Sequence, residues 1–216
     1  METKISRLNF FGGLAAAVAM PAFPGDLTVR RTPKLKVGIL SDVHIMFYGT
    51  RPSTDMLERA LEFYRKRNVD AVVIAGDLTE YGEMAELQEL AKTWNRVFPG
   101  NRGADGKIVE RLFIRGNHDL MSGRSDHKGV PLIKDDPAGA FKELFGIGNY
   151  APMRVQEVCG YKFLMAEWGA QQYVRDWFKT VEPTLPKDKP FFWIQHNHPK
   201  GTNIEPNIDR WGQSTE

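Results

Sequence analysis

The sequence predicts a mixed α/β domain that contains a largely parallel β-sheet. Short apolar runs such as 71–75 have the length and the β-branched content of strands buried on both faces. Between these runs, apolar residues recur at helical spacing, as Leu57, Leu61 and Tyr64 do. Strands that alternate with helices are typical of βαβ units. The 216 residues, 42% hydrophobic and 26% charged, are consistent with one sizeable globular domain.

Each predicted element follows from a local pattern. A helix is predicted to begin at Ser53, where a serine and an acidic first turn can cap it, and another to end at Gly146. The segment Phe191–Gln195 is apolar and is predicted to be a buried strand. The other predicted strands are Leu35–Ser41, Asp70–Ala75, Ile108–Arg115, Arg154–Val158 and Tyr161–Ala166, and the predicted helices are Ser53 to about Arg67, Met84–Val97, Ala138–Phe145 and Gln171–Val181.

The N-terminus predicts an export signal over residues 1–24. Lys4 and Arg7 supply a positive region, and the apolar run from Phe10 to Met20 is too short to span a bilayer comfortably. A linker is predicted over 25–33 and the main domain over 34–216. We therefore expect an exported, periplasmic or extracellular protein, without a transmembrane anchor after signal removal.

Charge and cysteine content argue against a nucleic-acid-binding surface and against a fold held by disulfides. The formal net charge is +2, and no cluster of basic residues indicates a nucleic-acid surface. A single cysteine, Cys159, cannot form an intramolecular disulfide. The sequence does not indicate an oligomeric state.

Polar clusters follow four of the predicted strands. They are Asp42-x-His44, Gly76-Asp77, Gly116-Asn117-His118-Asp119 and His196-x-His198. Each cluster alone has a simpler explanation, because Asp, Asn and His also form turns and helix caps. In an open α/β sheet, however, the carboxyl ends of the strands form the crevice where ligands bind. Oxygen and imidazole donors without thiolate suit zinc, manganese or iron, so we expect a metal site.

These clusters resemble the calcineurin-like metallophosphoesterase family, whose blocks are D-x-H, G-D, G-N-H-D/E, H and G-H-x-H. The resemblance covers Lys34 to about Thr202, and it implies a four-layer αββα sandwich with two divalent metal ions (Mn, Fe or Zn). It also implies the metal ligands. Asp42 and His44 would bind the first metal, Asp77 would bridge both metals, and Asn117 and His196 would bind the second.

The resemblance further implies roles around the metals. His118 would be catalytic, protonating the leaving oxygen or stabilising charge on the phosphoryl group, and Asp119 would orient the His118 imidazole. His196 is preferred to His198 as the ligand because it follows the strand directly, which leaves His198, with Asn117, for substrate contact. Purple acid phosphatases place a ligating tyrosine three residues after the bridging aspartate. Glu80 occupies that position in this chain, which argues against that branch of the family.

The implied function is a metal-dependent hydrolase that cleaves a small phosphomonoester or phosphodiester by attack of a metal-bridging hydroxide. The final block G-H-x-H does not occur in these 216 residues. We therefore expect a sequence truncated before that block, with the C-terminal strands missing. The alternative is a truncated or decayed non-catalytic relative that binds metal or a phosphate ligand without turnover.

Overall fold

A computed structural model describes residues 35–47, 53–168 and 171–196 of the chain. Its first sheet has three parallel strands, with β2 between the other two. Because β2 is covered on both faces, its four residues 71–74 are buried, which explains their continuous apolar character. The strands are β1, Val37–Leu40; β2, Ala71–Ala75; and β3, Glu110–Ile114.

The second sheet is mixed. Strands β4, Met153–Val158, and β5, Tyr161–Ala166, pair antiparallel, and β6, Phe192–Gln195, pairs parallel with β5. The β4–β5 turn consists of Cys159 and Gly160, with φ of 50° and 78°. Two residues with positive φ match the twist of the flanking strands in a two-residue hairpin.

Four α-helices accompany the strands within the described ranges. Asp136 accepts a hydrogen bond from the backbone N–H of Gly139 at the start of the third helix, and Gly146 ends that helix in the left-handed conformation. The helices are α1, Ser53–Lys66; α2, Met84–Val97; α3, Pro137–Phe145; and α4, Gln171–Val181.

Two apolar clusters lie on opposite faces of the first sheet. Val72 and Ile74 belong to a cluster shared with α1, α2 and α3, whereas Val73 packs in a second cluster with residues of β4, β5 and β6. On β6, Trp193 contacts α4. Its ring centroid lies 5.5 Å from that of Phe178. This arrangement confirms the predicted α/β sandwich of sheets flanked by helices.

A buried ion pair joins the two sheets next to the polar strand ends. Arg115, directly after β3, places Nη2 2.7 Å from Oε2 of Glu167, directly after β5. The Tyr150 hydroxyl also donates a hydrogen bond to Glu167. Burial raises the pKa of the Glu167 carboxyl, although the Arg115 contacts act in the opposite direction. A buried ion pair offsets the cost of its desolvation only when its geometry is well defined. The Arg115–Glu167 pair therefore fixes the end of β3 relative to the end of β5.

The prediction that Phe191–Gln195 is a buried strand is wrong for three of its residues. Phe191 and Phe192 are each 38% exposed and Trp193 is 36% exposed; on β1, Ile39 is 66% exposed. Both strands lie at an edge, since β1 and β6 each pair with a single strand among the described residues. A groove of about 450 Å³ runs along these side chains.

Three predictions concern residues that the structure does not describe. The export signal over residues 1–24, the linker over 25–33 and His198 lie outside the described residues. No helix in the described ranges is long and apolar enough to cross a membrane.

Candidate metal centre

The polar strand ends predicted from the sequence meet at one edge of the molecule. Pairing between the ends of β1 and β2 continues past both strands, since Asp42 N–H donates to the Gly76 carbonyl at 3.1 Å and His44 N–H to the Asp77 carbonyl at 3.0 Å. The third cluster follows β3, and His196 follows β6. The five predicted metal ligands are therefore brought together: Asp42, His44, Asp77, Asn117 and His196.

The backbone at this edge is strained. Asp42, His44 and Asp77 have φ of 55°, 44° and 48°, although none of them is glycine. Aspartate and histidine tolerate this region better than most residues, but each such residue costs about 1–3 kcal/mol. Strain of this kind persists where the surrounding structure imposes it, and it aims these three side chains at one another.

Asp77 lies at the centre of the cluster. One carboxylate oxygen, Oδ2, is 3.5 Å from His44 Nε2, and the other, Oδ1, is 3.4 Å from His196 Nε2. The backbone N–H of His118 also donates to Oδ1, at 2.9 Å. Two groups of possible metal ligands share this residue, His44–Asp77–His118 and Asp42–Asp77–His196, and within each group the ligand atoms lie within 4.8 Å of one another.

Electrostatics at Asp77 and His196 favour a bound cation. Burial raises the pKa of the Asp77 carboxyl, but the contacts with His196 and with the His118 backbone outweigh burial and lower it overall. Burial lowers the pKa of His196, yet Asp77 and the Ala75 carbonyl raise it overall. These directions favour the carboxylate form of Asp77 beside the His196 ring, and an anionic oxygen next to an imidazole suits a divalent cation.

The orientation of His196 leaves one ring nitrogen for a ligand. Its Nδ1 lies 2.9 Å from the Ala75 carbonyl oxygen, which can only accept a hydrogen bond, so Nδ1 carries the proton. Its Nε2 faces Asn117 Oδ1 at 3.0 Å and Asp77 Oδ1 at 3.4 Å. An Nε2 lone pair directed at two oxygens is unfavourable unless a cation or a proton lies among them.

The residues present fit divalent metal ions. The donors are imidazole nitrogens, carboxylates and an amide oxygen, which suit zinc, manganese or iron. In the described part of the chain, the ion-pair partners of Asp42 and Asp77 are histidines rather than lysine or arginine. The number of metals, their identity and the ligands of each one remain predictions.

His118 is held differently from the prediction. Its Nδ1 lies 2.7 Å from the backbone carbonyl oxygen of Glu80, so Nδ1 is the protonated nitrogen and Nε2 the available one. The His118 ring packs edge-on against His44, with centroids 4.6 Å apart. Its place in one ligand group means that His118 can reach either a metal or the substrate.

The prediction that Asp119 orients His118 is wrong. Asp119 is fully buried, and the Nδ1 of His118 contacts the Glu80 carbonyl instead. Its carboxylate accepts four hydrogen bonds, from Leu78 N–H, from Thr79 N–H and hydroxyl, and from Gly116 N–H, at distances of 2.7–3.1 Å. Burial raises the pKa of Asp119 against these bonds. Asp119 therefore fastens the turn after β2 to the turn after β3, and the Glu80 carbonyl orients His118.

Two glycines allow the close approach of these groups. A Cβ on Gly116 would lie 2.1 Å from Asp77 Oδ1 and 2.8 Å from His196 Nε2, and one on Gly76 would lie 2.3 Å from His196 Nδ1. Gly116 does not have a positive φ. Glycine is needed at position 116 for space beside Asp77.

Two further residues lie at the centre, and the sequence pattern indicates them only weakly. Glu80 places Oε2 2.9 Å from His44 Nδ1; its signal is a carboxylate three residues after Asp77. Trp168 packs edge-on against the His196 ring, with centroids 5.5 Å apart. The sequence signal for Trp168 is weaker, because this residue merely follows the end of a predicted strand.

Comparison with known proteins agrees with this site. The family model described as calcineurin-like phosphoesterase matches residues 35–211. The curated proteins contain no match to the chain. Among solved structures, an archaeal phosphodiesterase is 16% identical, with a TM-score of 0.36, and the match covers 68% of this chain and 67% of that one. A dimetal phosphatase from Danio rerio is also 16% identical, with a TM-score of 0.37, and the match covers 70% of this chain and 52% of that one.

The family match spans most of the chain, including all four polar clusters. The chain therefore belongs to the calcineurin-like phosphoesterases, a family of phosphoric ester hydrolases.

Proposed function

We propose that the chain hydrolyses a small phosphomonoester or phosphodiester at a centre of two divalent metal ions. The observation that supports this most is the position of Asp77, whose two carboxylate oxygens face histidine Nε2 atoms on opposite sides at 3.5 and 3.4 Å. A carboxylate in this position can bridge two cations. Asp42 and His44 are proposed to bind one cation and Asn117 and His196 the other. Asp42 also lies in the ligand group of His196, so it can contribute to either side.

The metals and the protein have separate tasks. Divalent cations, when bound, act as Lewis acids on the phosphoryl group and lower the pKa of the attacking water. The protein holds the ester for in-line attack. Asn117 directs Oδ1 at His196, so its amide N–H groups point elsewhere and can donate to a phosphoryl oxygen.

His118 is proposed to act on the leaving group. The Glu80 carbonyl holds the proton of Nδ1, and this leaves Nε2 as the nitrogen that can carry a proton to the departing oxygen or stabilise its charge. The backbone N–H of His118 is bonded to Asp77, so the imidazole is positioned relative to the proposed bridging carboxylate. His198 remains a proposed substrate contact.

The experiment uses the full chain, stripped of metal with a chelator and then supplied with Mn²⁺ or Zn²⁺. Hydrolysis of p-nitrophenyl phosphate and of bis(p-nitrophenyl) phosphate separates monoesterase from diesterase activity. Turnover that requires added metal is expected. His118→Ala is expected to lower kcat by about 10²–10⁴-fold while the metal content stays the same. The control is His127→Ala, since His127 contacts the buried Glu83 rather than the proposed ligands.

Three results decide among the alternatives. Metal binding without turnover of either ester would refute catalysis and support the non-catalytic alternative. Loss of metal from His118→Ala would make His118 a ligand rather than a proton donor. Absence of metal binding by the unaltered chain would refute the proposed centre.

A further inference from the structure

One residue outside the predicted ligand set contacts two histidines of the centre. The Glu80 carboxylate places Oε2 2.9 Å from His44 Nδ1, and the Glu80 carbonyl oxygen lies 2.7 Å from His118 Nδ1. These histidines follow different strands, β1 and β3. Glu80 itself follows β2, so it connects the two through one side chain and one peptide group.

The backbone of Glu80 is held in place on both sides. Glu80 N–H donates to the Ile45 carbonyl, and Ile45 N–H donates to the Leu78 carbonyl, each at 3.0 Å. Thr79, directly before Glu80, donates two hydrogen bonds to the Asp119 carboxylate, one from its backbone N–H and one from its hydroxyl. Ile45, Leu78 and Thr79 are all fully buried. Because this backbone is fixed, the carbonyl and the side chain of Glu80 start from a defined position.

The chemistry of an imidazole ligand gives these contacts a purpose. A histidine binds a metal through one ring nitrogen, and an acceptor at the other nitrogen fixes the tautomer and the ring orientation and makes the ligand more basic. His44 Nδ1 is buried and has no aligned hydrogen bond, and the Glu80 carboxylate is its ion-pair partner among the described residues. His44 Nε2 is then directed at Asp77.

We propose that Glu80 is a positioning residue, which selects Nε2 of His44 as the metal-binding nitrogen through its carboxylate and Nε2 of His118 as the available nitrogen through its carbonyl. The inference rests on the proposed metal centre. Substitution of Glu80 should therefore affect the two metals differently. It removes the carboxylate and keeps the carbonyl, so it lowers the affinity for the metal bound by His44. The affinity for the metal bound by His196 is spared, because the Nδ1 of His196 is held by the Ala75 carbonyl.

The test measures metal affinity in three full-length proteins: the unaltered chain, Glu80→Ala and Glu80→Gln. Titration with Mn²⁺ by calorimetry, after chelation, gives the affinity of each site, and the absorption spectrum of bound Co²⁺ reports its ligands. Loss of an acceptor to a metal-bound histidine costs about 10–100-fold in affinity. Glu80→Ala is expected to show that loss at one site only, with an altered Co²⁺ spectrum, and Glu80→Gln to recover part of it because its amide oxygen still accepts a hydrogen bond.

Glu83→Gln is the matched control. Glu83 also contacts a histidine, since its Oε1 lies 3.2 Å from His127 Nδ1, but His127 is not a proposed ligand. This variant is expected to bind both metals normally. Thermal unfolding followed by circular dichroism verifies that each variant is folded.

Each outcome bears on a separate claim. Two normal affinities in folded Glu80→Ala and Glu80→Gln, with two metals bound by the unaltered chain, would overturn the role of Glu80 and leave the proposed function standing. Equal weakening at both sites would also overturn it. Absence of metal binding by the unaltered chain would overturn the proposed function and this inference together.

Discussion

Replacement of Gly116 by alanine tests how closely the metal centre is packed. The new Cβ would lie 2.1 Å from Asp77 Oδ1 and 2.4 Å from the Asp77 backbone nitrogen. An ordinary van der Waals contact begins at 3.4 Å, so the carboxylate oxygen has to move by about 1.3 Å. The backbone nitrogen is less free to move, because the adjoining peptide is paired with the end of β1.

A displacement of this size exceeds what metal coordination tolerates. Metal–ligand distances vary by only about 0.2 Å, so a displaced Asp77 could not serve as the proposed bridging ligand. We expect Mn²⁺ affinity to fall by at least about 100-fold, at the upper end of the effect of disturbing the groups around a metal site. The crowding also lowers the free energy of unfolding, by about 1–3 kcal/mol.

Calorimetric titration of the chelator-treated protein with Mn²⁺ measures the affinity, and thermal unfolding measures the stability. Gly148→Ala is the control, because a Cβ there meets no atom within 4 Å. The control is expected to bind Mn²⁺ like the unaltered chain. If folded Gly116→Ala binds Mn²⁺ within twofold of the unaltered chain, the reasoning about close approach at Asp77 is wrong.

Two further predictions concern buried carboxylates. Asp119→Asn places an amide NH₂ against hydrogen-bond donors such as Gly116 N–H, and each unsatisfied group costs about 1–3 kcal/mol. Denaturant unfolding should show that the free energy of unfolding falls by at least that amount. An unchanged unfolding midpoint would contradict the anchoring role of Asp119. Burial raises the pKa of Glu86 from 4.5 to about 7. The folded state therefore holds this proton more tightly, and the stabilising effect is complete below pH 4.5 and lost as the pH rises through 7. Glu86→Gln should reduce the loss of stability between pH 5 and pH 8 by up to about 3 kcal/mol, and parallel stability curves for both proteins would refute this.

The order and type of the elements were predictable because they depend on local patterns. Helix α2 occupies Met84–Val97, and α4 occupies Gln171–Val181, as predicted. The apolar periodicity of these segments records which face is buried. Strand boundaries moved by one or two residues, as for β3, which is Glu110–Ile114 instead of Ile108–Arg115. Strand ends are decided by pairing with neighbours, which a local pattern does not contain.

The proximity of the five predicted ligands also followed from the sequence. Each ligand comes at or just after the carboxyl end of a strand, and strands of one crevice bring these ends together. Thus Asp77 and His196, which are far apart in sequence, lie 3.4 Å apart in space. The residue types then indicate the chemistry, because imidazole, carboxylate and amide donors without thiolate select a limited set of metals.

The tertiary structure alone decided how these side chains are held. His118 is oriented by a backbone carbonyl of Glu80, and every residue has such a carbonyl, so the sequence carries no sign of it. The direction of Asp119 was misjudged because adjacency to His118 in the chain does not make the two side chains face each other; the backbone N–H groups of Leu78, Thr79 and Gly116 draw the carboxylate inward.

The sequence by itself determined the family of the chain, the order of its elements and the chemical types at its centre, because these are recorded in patterns of neighbouring residues. Only the tertiary structure decided which ring nitrogen of His118 and of His196 is available, why Gly116 must lack a side chain and how exposed β1 and β6 are. These features depend on distances between segments remote in sequence, and such distances are set by packing and by hydrogen bonds to the backbone.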